Sequence, residues 1–242
     1  MTGGTEGIGR ATAVALAATG MTVVVSSRRK EAVDATVSAL RQSGYSAVGV
    51  PADVTDPGDV QRLFAEVGRL DGDFATLVNC AGGSFGSGFR RGDLAEMTEA
   101  DLIGAFRLNV VGAFSCSQAA VRLLATPHAS IVNVSSVGGL RRAPRGMAAY
   151  GAAKAALNSL TLSMAAEWAP RIRVNAVAPG YIDTPRTSAT RTPERLAAQL
   201  GSIALARLGA PEEVAAAIAH LSSPAASWTT GTIYEINGGL LA

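Results

Sequence analysis

The chain is short of the residues that would tie it to an oxidising compartment, a metal or a membrane. Its 242 residues hold two cysteines, two histidines and 5% aromatics. Cys80 and Cys116 fall inside apolar segments without metal-ligand spacing, so no metal is expected, a disulfide has no support, and reduced thiols in a cytoplasmic protein are the expected state. No stretch of about 18 apolar residues is free of charge or breakers, which argues against a membrane span. Glycines occupy the N-terminus where a secretory signal needs an apolar run. Charged residues are also scarce, at 17%, and a formal net charge of +2 is too small to call for a nucleic-acid partner. What is plentiful is hydrophobic residues, 48% of the chain, enough for a large core and unlike the composition of disorder.

Those apolar residues alternate between two patterns. Short β-branched runs fall at 21–26, 46–50, 74–78, 130–134, 172–177 and 232–236. Longer segments with helical spacing separate most of them, at 11–18, 60–67, 102–124, 152–166 and 213–221. Asp56-Pro57 and Thr192-Pro193 each set a capping side chain before a proline at the first helical position. Thr98-Glu99-Ala100-Asp101 has the form of a capping box. Strands apolar on both faces, joined by crossover helices, predict an α/β fold with a doubly wound parallel sheet covered on each side. With no repeat, low-complexity tract or linker, residues 1–242 are expected to form one domain.

The chain opens on a glycine turn, Thr2-Gly3-Gly4-Thr5-Glu6-Gly7-Ile8-Gly9. Its spacing departs from Gly-x-Gly-x-x-Gly, with Thr12 where the last glycine would stand. The physical logic is similar: small residues let the backbone approach a pyrophosphate whose charge faces a helix starting near Ile8. Alone, such glycines are equally those of a plain turn. A dinucleotide-binding turn normally follows a first strand, yet only Met1 precedes Thr2, and a strand needs roughly five residues. The first strand, central in a doubly wound sheet, is therefore expected to be missing from residues 1–242 and to leave a gap. An N-terminal extension in the working protein is the matching expectation, checked by the intact mass of the product of the native gene.

At the end of the second predicted strand a carboxylate would suit a cofactor with free ribose hydroxyls. The chain instead reads Ser26-Ser27-Arg28-Arg29-Lys30. A guanidinium fork suits a 2′-phosphate, so NADP(H) is favoured over NAD(H), with Arg28 first, Ser27 next and Arg29 a helper. The competing reading is a solvated charge run at a turn. Asp53 and Asn79, at the ends of the next two strands, are placed to cap an adenine pocket, although both residue types are also ordinary turn formers.

Tyr150 and Lys154 stand four apart and share one helix face. A free tyrosine has a pKa near ~10, and bringing it to about 7 takes roughly 4 kcal/mol of preferential stabilisation of the anion. An adjacent ammonium in a desolvated site, helped by a cationic nicotinamide ring, supplies energy of that order. Tyr150 would then exchange a proton with a carbonyl or alcohol oxygen, and Ser136 would orient that oxygen. Tyr-x-x-x-Lys alone is common, since tyrosines often pack along lysine stems.

The combination is specific, and the whole chain resembles the short-chain dehydrogenase/reductase family, most nearly its β-ketoacyl-carrier-protein reductase branch. The resemblance rests on Asn79-Cys80-Ala81-Gly82, Asn109-Val110, 131–136, 150–154, Pro179-Gly180-Tyr181-Ile182-Asp183-Thr184, 206–214 and Ile236-Asn237-Gly238-Gly239. It implies a single-domain Rossmann-type fold that interconverts ketones and secondary alcohols by hydride transfer. It implies Asn109, Ser136, Tyr150 and Lys154 as the catalytic set, Asn109 bending its helix and holding a water that relays protons to Lys154, and Ser135 in support. It places the cofactor against Thr2, Gly3, Thr5, Gly7, Ile8, Gly9, Ser27, Arg28, Asp53, Val54, Asn79, Ala81 and Gly82. Tyr150, Lys154, Pro179, Gly180, Ile182 and Thr184 complete that set, Ile182 and Thr184 holding the carboxamide. Cys80 departs from an asparagine in many relatives. The family also implies a tetramer or dimer, for which the apolar Leu240-Leu241 would suit an interface.

Residues 180–205, polar and punctuated by proline, are expected to pass over the nicotinamide as a substrate lid. Arg141, Arg142 and Arg145, with Arg186 and Arg191 in the lid, would attract an anionic substrate or an acyl carrier, but exposed arginines in a solvated loop are the plainer reading. Pro127 and His128 stand where a carrier-docking basic residue would be welcome, which weakens the carrier reading. A dinucleotide sensor without turnover and a truncated, inactive subunit are the rivals to an enzyme acting on a small carbonyl or alcohol. The catalytic set argues against the sensor.

Overall fold

The computed structural model describes residues 1–86, 89–189 and 191–240. Six strands run parallel. β1 (Val23–Val25) pairs with β2 (Ala47–Gly49). β3 (Thr76–Asn79), β4 (Ser130–Val134), β5 (Arg173–Pro179) and β6 (Ile233–Ile236) make a second sheet in that order. Each lies within a predicted β-branched run or extends it by one or two residues. β4 shows the physical cause. All five of its residues are buried, Ile131 packing with Leu77 and Val174 on one face, Val132 and Val134 with Val177 on the other.

Helices cover both faces. In chain order they are α1 (Gly7–Ala17), α2 (Lys30–Gln42), α3 (Pro57–Val67), α4 (Glu99–Phe106), α5 (Gly112–Val121), α6 (Ala148–Trp168), α7 (Pro185–Ser188), α8 (Pro193–Gly201) and α9 (Pro211–Ser222). α1, α2 and α9 give Leu16, Val37 and Ile218 to one core, while α3, α5 and α6 give Phe64, Cys116 and Met164 to the other. The predicted caps are present: Asp56 accepts from the Asp59 amide at 2.9 Å, and Thr98 and Asp101 form a reciprocal box. α2 was not foreseen, because its apolar stripe of Val33, Val37 and Leu40 sits among polar residues. The helix predicted over 102–124 is broken into α4 and α5 by a π-helical turn, Arg107–Val111, centred on Asn109.

The expected gap is present. Where a central strand would join the two sheets, only Met1 and Thr2 lie between β1 and β3. Thr2 bridges Ser26 on one side and Asn79 on the other, and its amide donates to the Val78 carbonyl at 3.1 Å. The Met1 carbonyl accepts from Ser26 at 2.9 Å, and its ammonium donates to the Val24 carbonyl at 2.9 Å. Beyond them a cavity of about 270 Å³ separates Val23 and Val24 from Thr76 and Val78. On the other side of β3 the ladder is continuous and is tied to its helices by a buried polar chain. Asn79 Nδ2 donates to Ser117 Oγ and to Asn133 Oδ1, each at 2.9 Å, and Asn133 Nδ2 to Thr161 Oγ1 at 2.9 Å.

Candidate active site

A cleft of about 260 Å³ opens at the C-terminal ends of the strands, where ligands gather in doubly wound sheets. Gly3, Thr5, Gly7, Ile8 and Gly9 form one wall with Ser27 after β1, and Ala81 and Gly82 continue it after β3. Ser136, Tyr150, Lys154, Pro179, Gly180, Ile182 and Thr184 form the opposite wall. α1 begins at Gly7 with no side-chain cap from Glu6 and no acid in its first turn, so its leading N–H groups face the cleft free for an anion. A Cβ on Gly9 would lie 2.0 Å from the Gly3 carbonyl oxygen, so only glycine lets the turn close on itself.

Arg28 and Asp53 line an adjoining hollow with Thr55, Asp59 and Arg107. Arg28 is exposed there, and the Asp53 carboxylate accepts from the Thr55 amide at 2.9 Å and hydroxyl at 2.7 Å. Three of the expected cofactor residues turn their side chains away from the cleft. Asn79 is turned into the core by the polar chain described above, because its amide finds Ser117 and Asn133 there. Thr2 is buried, its hydroxyl accepting from the Cys80 and Ala81 amides at 3.2 and 3.3 Å. Val54 is buried against the bare Gly112. None of the three side chains lines the cleft or the hollow. They brace the wall instead.

Tyr150 and Lys154 sit in the first two turns of α6, one above the other. The Lys154 ammonium, buried, donates to the Val134 carbonyl at 2.8 Å and lies 5.7 Å from the centre of the Tyr150 ring. Ser136 follows β4 and faces the phenol, its hydroxyl also accepting from the Gly138 amide at 3.2 Å. Ser135 supports from behind, donating to the Lys154 carbonyl at 3.3 Å. Asn109 is presented by the π-helical turn. Its Oδ1 accepts from the Gly83 amide at 3.0 Å, and its Nδ2 donates to the carbonyls of Gly83 at 2.9 Å and Ala105 at 3.0 Å. A Cβ on Gly82 would stand 2.8 Å from Asn109 Oδ1 and 3.2 Å from Lys154 Nζ, so the two polar ends converge on a bare backbone.

Burial lowers the Lys154 pKa to about 8. Burial also raises that of Tyr150, against the opposing pull of the Ser136 hydroxyl and of the Arg186 and Arg91 charges. In the protein alone, then, the lysine does not make the phenol acidic, as its charge is turned to the Val134 carbonyl and desolvation prevails. Near neutral pH Tyr150 holds its proton and Lys154 is mostly charged. Cys80 and Cys116 are free thiols, pushed up by burial to about 11 and about 12.

The segment 180–205 contains α7 and α8 rather than an open loop. Arg186 reaches back across the cleft, pairing with Glu6 of the glycine turn at 2.5 Å and donating to the Gly82 carbonyl at 2.9 Å. Arg191 pairs with Asp183 at 2.9 Å, Arg141 with Glu235, and Arg145 is exposed beside Asp93. A second cavity of about 420 Å³ meets the first at Ser136 and Tyr150. Leu240 lines it, while Leu241 lies outside the described residues. Arg91 and Arg195 line it too, and neither stood out in the sequence. No local pattern signals that the Arg90-Arg91 pair folds back toward Tyr150. His128 is exposed in the loop before β4.

A doubly wound sheet with this cleft defines a dinucleotide-binding oxidoreductase. A family model described as enoyl-(acyl carrier protein) reductase matches residues 3–241. Galactitol 2-dehydrogenase of Rhizobium johnstonii is 40% identical over 99% of this chain and 93% of its own length. A 3-oxoacyl-[acyl-carrier-protein] reductase of Synechocystis is 39% identical over 100% of this chain and 95% of its own. The solved structure of a 7α-hydroxysteroid dehydrogenase complexed with NADH and 7-oxo glycochenodeoxycholic acid superposes with a TM-score of 0.92 at 32% identity, covering 99% of this chain and 92% of that one. The chain belongs to the short-chain dehydrogenase/reductase family, oxidoreductases that act on CH–OH and C=O groups with NAD(P).

Proposed function

We propose that this protein is an NADP(H)-dependent reductase of a ketone to a secondary alcohol. The observation that carries the reading is the convergence of Ser136, Tyr150, Lys154 and Asn109 at one end of the cleft, facing the uncapped start of α1 at the other. The residues fit a dinucleotide: free helix N–H groups for its pyrophosphate, and a bare Gly82 beside Lys154 and Asn109 where any side chain would intrude. Thr5, Ile8 and Gly9 would flank the pyrophosphate, Ile182 and Thr184 the carboxamide, and Ser27 and Arg28 the 2′-phosphate.

When bound, the reduced cofactor supplies a hydride to the carbonyl carbon. Tyr150 gives its proton to the carbonyl oxygen, which Ser136 holds by a hydrogen bond as negative charge develops. Lys154 holds the ribose hydroxyls and returns a proton to Tyr150, and Asn109 orders the water that feeds Lys154. Burial keeps the phenol in its protonated form near neutral pH, the form that a proton donor in reduction requires. Residues 180–205 serve as the lid. Exposed Ile103 and Val111 beside the π-helical turn and Tyr234 on β6 favour a homo-oligomer. The name of the Synechocystis relative keeps a 3-oxoacyl-thioester as the alternative substrate.

Tyr150→Phe is expected to lower turnover of a reducible ketone by roughly 10²- to 10⁴-fold while NADPH still binds, read by quenching of its fluorescence. Turnover at the wild-type rate would remove Tyr150 from the chemistry, and loss of NADPH binding in the wild type would leave a truncated subunit as the better reading. Arg28→Asp is expected to shift the NADPH-to-NADH preference toward NADH by more than about tenfold, since it replaces an attraction with a repulsion at the phosphate. An unchanged ratio of kcat/KM values would put the phosphate elsewhere.

A further inference from the structure

We infer that the substrate carries an oxyanion, a carboxylate or a phosphate, held by Arg91 and Arg195 in the cavity onto which Tyr150 opens. This names the substrate class of the reductase site just proposed and rests on that reading. Among the described residues five arginines line the cavity and no aspartate or glutamate does. Two are already neutralised, Arg141 by Glu235 and Arg191 by Asp183. Among the described residues Arg91, Arg142 and Arg195 have no carboxylate partner.

Arg91 is also held in place. Its Nε donates to Ser84 Oγ at 3.0 Å, and its guanidinium lies 5.0 Å from the centre of the Phe85 ring. A fixed fork loses little freedom on binding, which separates it from a solvated arginine on a mobile stem. Arg91 lines both cavities, so an anion there would sit beside the phenol that protonates the carbonyl. Burial first, and then the charges of Arg195 and Arg186, push the Arg91 pKa down. A bound oxyanion would relieve that repulsion and gain charge-assisted hydrogen bonds. A competing role for Arg91, acting only on the phenol, predicts no preference between charged and neutral substrates.

The test compares acetoacetate, 4-oxopentanoate and 5-oxohexanoate with the methylamide of each, following NADPH oxidation. At least one acid is expected to exceed its amide in kcat/KM by about tenfold or more, chiefly through KM. Arg195→Gln and Arg91→Gln are expected to close that gap, Arg91→Lys to close it in part, and Arg122→Gln, on an exposed arginine outside the cavity, to leave it unchanged. Acids no better than amides in the wild type would overturn the inference while leaving the reductase intact. So would Arg195→Gln and Arg91→Gln variants that slow acid and amide alike. If no ketone is reduced, calorimetry with 4-oxopentanoate and NADPH decides. Binding lost in Arg195→Gln keeps the anion site and counts against the reductase reading, and no binding at millimolar concentration overturns the inference itself.

Discussion

The two walls of the cleft are built with unequal support. The wall that carries Ser136, Tyr150 and Lys154 stands on a continuous ladder from β3 to β6, with β4 wholly buried and the Asn79–Asn133–Thr161 chain binding strands to helices. The wall that carries the glycine turn belongs to a two-stranded sheet joined to the rest by Met1, Thr2 and the packing of α1 on α9, above a cavity of about 270 Å³. On the function proposed above, proton handling would fall to the well-supported part of the fold and affinity for the dinucleotide to the weaker part, and experiment can separate the two.

The largest effect is expected from filling the slot. Five β-branched residues placed ahead of Met1 would pair with the open edges of β1 and β3 and bury apolar surface against Val23, Val24 and Val78. The expected gain in Tm is on the order of 5–10 °C, because each kcal/mol moves a chain of this size by about 2–4 °C. A pH signature accompanies it. In the 242-residue chain, burial lowers the pKa of the Met1 ammonium from 8.0 to about 6. The unfolded amine binds more protons between those values, so this stabilisation is full above pH 8 and lost as pH falls through 6, up to about 2–3 kcal/mol. The extended chain has an amide there and should lose that slope. Equal Tm values and equal slopes in the two chains would mean that the split is no weakness.

The same inequality governed what was legible in the sequence. Every strand of the continuous sheet was visible as a β-branched run, because burial on both faces of β3, β4 and β5 selects apolar residues at most positions, while the half-exposed β6 shows through Ile233 and Ile236. Tyr150, Lys154 and Ser136 could be read because helix periodicity and a strand end fix their relation. The inward turn of Asn79 could not, because its amide had partners on α5 and β4, remote in sequence. Arg91 and the Glu6–Arg186 pair were hidden for the same reason, being products of loops that fold back over the cleft. The raised phenol pKa was hidden because desolvation depends on packing that no spacing reveals.

The well-supported wall makes a prediction that an N-terminal extension should not change. With Lys154 near pH 8, the rate of ketone reduction at saturating NADPH is expected to be flat below that pH, where the ammonium can resupply Tyr150. Above it the rate should fall, by up to about tenfold per pH unit. Lys154→Arg, which keeps its charge, should move the break upward. A profile with no break, or one unmoved in Lys154→Arg, would take the proton relay away from this residue.

The smallest effect tests a contact that spans both walls. Arg186 ties α7 to Glu6 and Gly82 across the cleft, and both members of the Arg186–Glu6 ion pair are about four-tenths exposed, so the pair itself is weak. Arg186→Gln nevertheless acts twice in the same direction: it releases the lid segment and leaves the Glu6 carboxylate bare beside the pyrophosphate. NADPH affinity is expected to fall by about two- to fivefold. The double variant with Glu6→Gln should recover part of that loss, because the stranded negative charge is gone. Equal losses in the single and double variants would mean that only the lid contact matters. No loss in either would mean that the glycine turn holds its ligand without help from the opposite wall.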